Sequence, residues 1–128
     1  MSKVVLDASA ILAIIHQEPG HELLTPELLE RAIVSSVNLA EVHGKLIAVG
    51  WTPDEAWEDA TGAVEEIMPF TSDHARLAGN LITHTRPFGL SLADRACLAL
   101  ALQSKLAVYT ADRSWKNLKL NLRIHVIR

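Results

Sequence analysis

Short apolar, β-branched runs recur along this chain, each followed by a helical pattern, and that alternation constrains the fold more than any other feature. Val4-Val5-Leu6 ends at Asp7, and a helix is expected from there through Ile15, until Pro19-Gly20 breaks it. Thr25-Pro26-Glu27 reads as N-cap, first-turn proline and dipole-favoured acid, opening a helix toward Arg31. Ala32-Ile33-Val34 is a second strand, and Ser35 or Ser36 caps a helix that runs to about Val49 before Gly50. Thr52 and Glu55 have the spacing of a capping box for the next helix. Ile67-Met68-Pro69-Phe70 is a third strand candidate, with a helix from Asp73 to His84 behind it. Ser91 caps a long apolar helix through Ser104. Leu106 to Tyr109 is the fourth strand, a turn surrounds Trp115, and Ile124 to Ile127 is the last strand.

Apolar strands alternating with helices imply a parallel sheet covered on both faces, an α/β sandwich. At 128 residues, with 49% of them hydrophobic, residues 1–128 are expected to form one domain with a real core. No apolar run has the roughly 20 residues that a transmembrane helix needs, and the start of the chain does not read as a signal peptide. The single cysteine, Cys97, lies among Ala96, Leu98 and Ala99, which marks a buried, inert thiol and a cytoplasmic protein.

The net charge of −3 argues at first against a nucleic-acid substrate. Its distribution reverses that argument. Residues 1–64 carry 3 basic and 10 acidic side chains, whereas residues 65–128 carry 9 basic and 5 acidic ones. From Arg76 onward only Asp94 and Asp112 are acidic, and two isolated acids in a basic segment require a reason. Two divalent cations bound to the chain would reverse the sign of its net charge.

In parallel sheets ligands gather beyond the carboxyl ends of the strands. Asp7 and Asp112 follow two strand ends directly, while Glu41 and Asp94 fall early in helices at that same edge. Each has an ordinary alternative. Asp7, Asp94 and Asp112 are placed to cap the helices that follow them, Asp94 through a capping box with Ser91. Glu41 shares a helix face with Val37, Gly44 and Ala48, and the other face is apolar as well, so burial of its carboxylate is expected. A solvated rim position is the alternative. Taken jointly, four convergent carboxylates repel one another unless a hard cation such as Mg²⁺ occupies them.

Four blocks carry a family resemblance: Val4-Val5-Leu6-Asp7-Ala8-Ser9-Ala10, Ser36-Val37-Asn38-Leu39-Ala40-Glu41-Val42, Gly89-Leu90-Ser91-Leu92-Ala93-Asp94-Arg95-Ala96-Cys97, and Tyr109-Thr110-Ala111-Asp112-Arg113-Ser114-Trp115. In this order they resemble the motifs of PIN-domain ribonucleases, most closely the VapC-type toxins of bacterial toxin–antitoxin pairs. The resemblance spans essentially the whole chain. It implies a three-layer α/β/α sandwich and an endoribonuclease dependent on Mg²⁺ or Mn²⁺. By motif position Asp7, Glu41, Asp94 and Asp112 would be the catalytic, metal-binding quartet. Ser9 and Thr110 would be its accompanying hydroxyls, and Asn38 would support it. It also implies an RNA substrate, a homodimer, and a cognate antitoxin whose tail lies across the site. Arg95 and Arg113 each follow a site acid, so they either contact phosphate or pair with the acids. Lys116 and Lys119 read first as a solvated face, with phosphate contact as the alternative.

Other features point away from chemistry. The six histidines have no metal-ligand spacing, and no glycine-rich phosphate loop is present. Trp51 and Trp57 flank a turn between helices and are expected to pack that helix pair; Trp115 anchors its own turn. A phospho-receiver signalling domain is the rival reading, since it is also α/β and also binds Mg²⁺. It expects an acidic pair after the first strand, an Asp after the third and a lysine after the fifth. Here Asp7 stands alone, Pro69-Phe70 follows the third strand, and Thr110 follows the penultimate one. A non-catalytic partner-binding domain is disfavoured by the complete quartet.

Overall fold

The computed structural model describes all of residues 1–128. Five parallel strands are present, β1 (Val4–Leu6), β2 (Ala32–Ser35), β3 (Glu66–Met68), β4 (Val108–Thr110) and β5 (Ile124–Val126). They lie in the order β3-β2-β1-β4-β5, so β1 is central and the chain winds outward from it in both directions. Every pairing is parallel because a helix or long crossover separates each strand from its neighbour.

Alternation along the strands sends side chains to two cores. Val4 and Leu6 of β1, with Ala32 and Val34 of β2, face α1 (Ala8–His16), α2 (Pro26–Leu29), α3 (Ser36–Ala48) and α4 (Pro53–Gly62). Val5, Ile33 and Val108 face the opposite way, toward α7 (Leu92–Ser104), Leu81 and Trp115. The smaller α5 (Ser72–Asn80) and α6 (Ile82–Thr85) complete that second layer. The result is a three-layer α/β/α sandwich. β1 and β2 are buried throughout and β4 except at Tyr109, whereas the edge strands β3 and β5 are partly exposed. No helix is long and apolar enough to cross a membrane.

The boundaries follow local chemistry. Thr25, Ser35, Thr52, Thr71 and Ser91 each accept a backbone N–H at a helix start, and Thr52 with Glu55 closes the expected capping box. Gly20 takes φ +94°, and a Cβ there would run into the Ile127 carbonyl, so only glycine lets this turn lie against the last strand's end. Two expectations shift. The third strand ends at Met68, before Pro69, which has no N–H for a ladder. The helix expected over residues 73–84 breaks at Leu81 into α5 and α6. Trp57 of α4 packs edge-on to His43 of α3 across the helix pair yet stays 48% exposed, and Trp51 is half-buried and packs edge-on to His16. Trp115 anchors its turn with no exposed surface.

Candidate active site

The site begins where the two central strands end. Asp7 follows β1, caps α1 by accepting the Ala10 N–H at 2.8 Å, and is 3% exposed. Its carboxylate also accepts Ser9 Oγ at 2.8 Å and Thr110 Oγ1 at 2.6 Å. Thr110 ends the neighbouring β4, so the in-register pairing of β1 with β4 brings this hydroxyl across 103 residues of sequence. The network continues outward, as Ser9 Oγ accepts the Ala111 N–H and Thr110 Oγ1 accepts the Asp112 N–H. One carboxylate therefore organises the backbone of the β4–Asp112 turn.

Burial costs a charged carboxylate its hydration, and this pushes the Asp7 pKa up to about 6. The three hydrogen bonds pull the other way, and the Asp94 carboxylate adds a further upward push. Asp94 stands at the third position of α7, where its Oδ2 accepts the Ser91 N–H and Ser91 Oγ accepts the Asp94 N–H, the predicted box. Capping leaves room for a further role, because a carboxylate has about four acceptor positions.

Asp112 is exposed and caps the short 3₁₀ turn Arg113–Asn117, accepting both the Ser114 N–H and Ser114 Oγ. Glu41 differs from expectation: it is not buried. Its side chain is 30% exposed and lies 3.9 Å from Lys45, because Ala40, Gly44, Lys45 and Ala48 turn one face of α3 outward. Small residues on that face reflect an open rim rather than close packing.

Asn38, one turn before Glu41, is 1% exposed and donates Nδ2 to the Ala93 carbonyl at 2.9 Å. It thereby ties α3 to the first turn of α7, beside Asp94. Its Oδ1 is buried with no partner. The two arginines diverge. Arg95 donates to the Ala78 carbonyl at the end of α5, away from the acids, whereas Arg113 is exposed next to Asp112. Beneath the site, the Cys97 thiol is fully buried, and burial together with the Asp7 and Asp94 charges pushes its pKa well up. It is inert, as its surroundings in the sequence imply.

A family model described as PIN domain matches residues 4–120. The chain belongs to the PIN domain family. No curated protein matches the sequence. Solved PIN-like structures match the fold over the whole chain. DNA-bound VapBC from Salmonella typhimurium superposes with TM-score 0.75 at 18% identity, covering 100% of both chains. VapBC2 from Rickettsia felis, bound to a promoter DNA fragment, gives 0.74 at 18% identity and 98% of each chain. VapBC-5 from Mycobacterium tuberculosis gives 0.65 at 25% identity, covering 100% of this chain and 99% of that one.

The donor set of this PIN domain is oxygen alone, which suits a hard divalent cation. The Asp7–Asp94 repulsion and the unpartnered Asn38 Oδ1 also fit a positively charged or proton-donating group at this edge. As the side chains are placed, no three His, Cys, Asp or Glu residues form one metal-sized group. Asp94 and Asp112 accept bonds from their own turns, and Glu41 leans to Lys45. Sequence reasoning missed the Asn38–Ala93 tie. The residue's spacing to Glu41 was legible, but the carbonyl it meets lies 55 positions away.

Proposed function

We propose that this PIN domain is a divalent-metal-dependent endoribonuclease toxin, neutralised by a cognate antitoxin. The single observation that carries the reading is the Asp7 carboxylate: buried at the end of the central strand, clamped by Ser9 and Thr110, and pushed further toward its protonated form by the Asp94 charge. A desolvated carboxylate that also feels a second negative charge costs the fold stability, which makes Asp7 a functional-site candidate. Membership of the PIN family and the fold likeness to VapBC proteins support the rest.

In this reading Asp7, Glu41, Asp94 and Asp112 hold Mg²⁺ or Mn²⁺. The bound cation supplies a water of lowered pKa and neutralises charge on the phosphoryl oxygens of a phosphodiester. The chain's own residues do the positioning. Ser9 and Thr110 orient Asp7 and favour its charged form by hydrogen bonding. Asn38 fixes the first turn of α7 and with it Asp94. Arg113, exposed beside Asp112, is placed to contact a substrate phosphate, while Arg95 serves the α5–α7 contact. A free ribonuclease would harm its host, so a tight protein inhibitor acting in the same cytoplasm is physically sensible. The apolar Ile47, Val49 and Trp57, exposed on and between α3 and α4, support self-association into a homodimer.

The test is cleavage of cellular RNA by purified protein with Mg²⁺ or Mn²⁺, against a chelated sample and Asp94→Asn. Metal-dependent cleavage that the variant lacks is expected. Equal cleavage by Asp94→Asn would remove that residue from the site. Absence of cleavage by the antitoxin-free wild type across several structured RNAs would overturn the ribonuclease reading.

A further inference from the structure

The edge of the sheet opposite the acids holds a concavity that the proposed reaction does not use. It is an open groove of about 1160 Å³ beneath the starts of β1, β4 and β5. Lys3, Arg31, Lys105 and Arg123 line it, and no carboxylate side chain does. These are four of the 12 basic residues of a chain whose net charge is −3, so the local field there is opposite to that of the whole molecule. Lys3 is paired with Glu66 at 2.6 Å, and Arg31 spends one donor on the Ser2 carbonyl. Lys105 and Arg123 are exposed and have no ion-pair partner. The same positive field reaches His125 on the groove wall, where burial and the Arg123 charge hold its pKa below the usual imidazole value.

The cations continue out of the groove. Residues 113–128 carry five basic side chains and no acidic one. Lys116 and Lys119 are exposed on the segment that joins Asp112 to β5. β5 is the outermost strand, and its three residues span only roughly 10 Å. A flexible polyanion rounding that edge can touch the acid site and the groove at once. The groove walls add apolar surface from Leu102, Leu106, Leu120 and Leu122, and a stacked Tyr109–His125 pair with ring centroids 4.6 Å apart. Unpaired bases take such surfaces, whereas duplex bases are already stacked.

We propose that the groove and the β5 flank bind the backbone of single-stranded RNA, so that a chain cut at the acid edge is also held at the opposite edge. This rests on the ribonuclease reading for the identity of the polyanion. Of the two sequence readings of Lys116 and Lys119, it selects phosphate contact, as part of one track.

The experiment measures binding in chelator, where cleavage is absent, by fluorescence anisotropy of labelled single-stranded RNAs of about 16 and about 4 nucleotides. The longer RNA should bind more tightly than the shorter. Lys105→Glu/Arg123→Glu should weaken it at least about tenfold and flatten the slope of log affinity on log salt by roughly 1.4, the value for two lost phosphate contacts. Arg76→Glu, exposed on α5, should leave both RNAs bound as before. The neutral pair Lys105→Gln/Arg123→Gln guards against misfolding and should weaken binding less, in the same direction. Equal binding of long and short RNA, or an unchanged slope in the double variant, would overturn the track. Equally tight binding of duplex DNA would overturn the single-strand assignment. If the track holds while no RNA is cut in Mg²⁺ or Mn²⁺, the ribonuclease reading fails and the binding surface stands.

Discussion

The two edges of the same five-stranded sheet carry opposite chemistry. At the carboxyl edge Asp7 is held by Ser9 and Thr110, and Asp94 and Asp112 are each held by their own helix or turn starts. At the amino edge Lys3, Arg31, Lys105 and Arg123 line a groove without an acid, and two of them are held by nothing. The difference is one of rigidity as well as sign. Acids fixed by hydrogen bonds, Asp7 of them buried, suit chemistry that demands fixed geometry, and loose exposed cations suit attraction to a long flexible chain.

Substitutions at the carboxyl edge should have the largest effects. Asp94→Asn is expected to cut RNA cleavage by about 10³-fold while leaving the circular dichroism spectrum unchanged. A loss of less than about tenfold would mean that the edge does not divide as described. Thr110→Val removes the 2.6 Å bond to Asp7 and the acceptor of the Asp112 N–H. Cleavage and Mg²⁺ affinity, read by titration calorimetry, should each fall by roughly 10–100-fold, as for other supports of metal-binding groups.

A smaller effect tests the cost of the acid pair. The folded chain keeps the Asp7 proton up to about pH 6, whereas the unfolded chain releases it near the ordinary carboxylate value of 3.8. Folded protein thus binds more protons in that window, and the Asp7 contribution to stability is lost as pH rises through it. In chelator at pH 7.5, Asp7→Asn should therefore be more stable than wild type by about 2–3 kcal/mol, with the gap closing toward pH 4. Urea denaturation at both pH values measures it. A constant gap would mean that Asp7 is not desolvated. The smallest change is expected at the amino edge, where Lys105→Gln should alter stability by less than about 0.5 kcal/mol. A larger loss in the same denaturation series would make Lys105 a structural residue rather than an exposed contact.

Much of this was legible along the chain. Val4-Val5-Leu6 and Ala32-Ile33-Val34 announce buried parallel strands, and Thr52, Thr25 and Ser91 announce the helix starts, because these signals are local. Glu41 was misjudged because a helix of small and apolar residues looks buried on every side. Whether Ala40, Gly44 and Ala48 meet a neighbour depends on elements far away, and here they meet solvent. Arg95 and Arg113 looked equivalent in sequence, each following an acid, yet one reaches the Ala78 carbonyl and the other stays exposed.

The sequence by itself determined the alternation of strands and helices, the caps, the acidic motif positions and the segregation of charge into an acidic first half and a basic second half. All of these depend on neighbours within a few residues or on composition. Tertiary structure alone decided that Thr110 meets Asp7, that Asn38 ties α3 to the turn bearing Asp94, and that Lys3 and Arg31 from the acidic half join Lys105 and Arg123 around one groove. The reason is the parallel winding outward from β1, which sends every strand's carboxyl end to one edge and every amino end to the other.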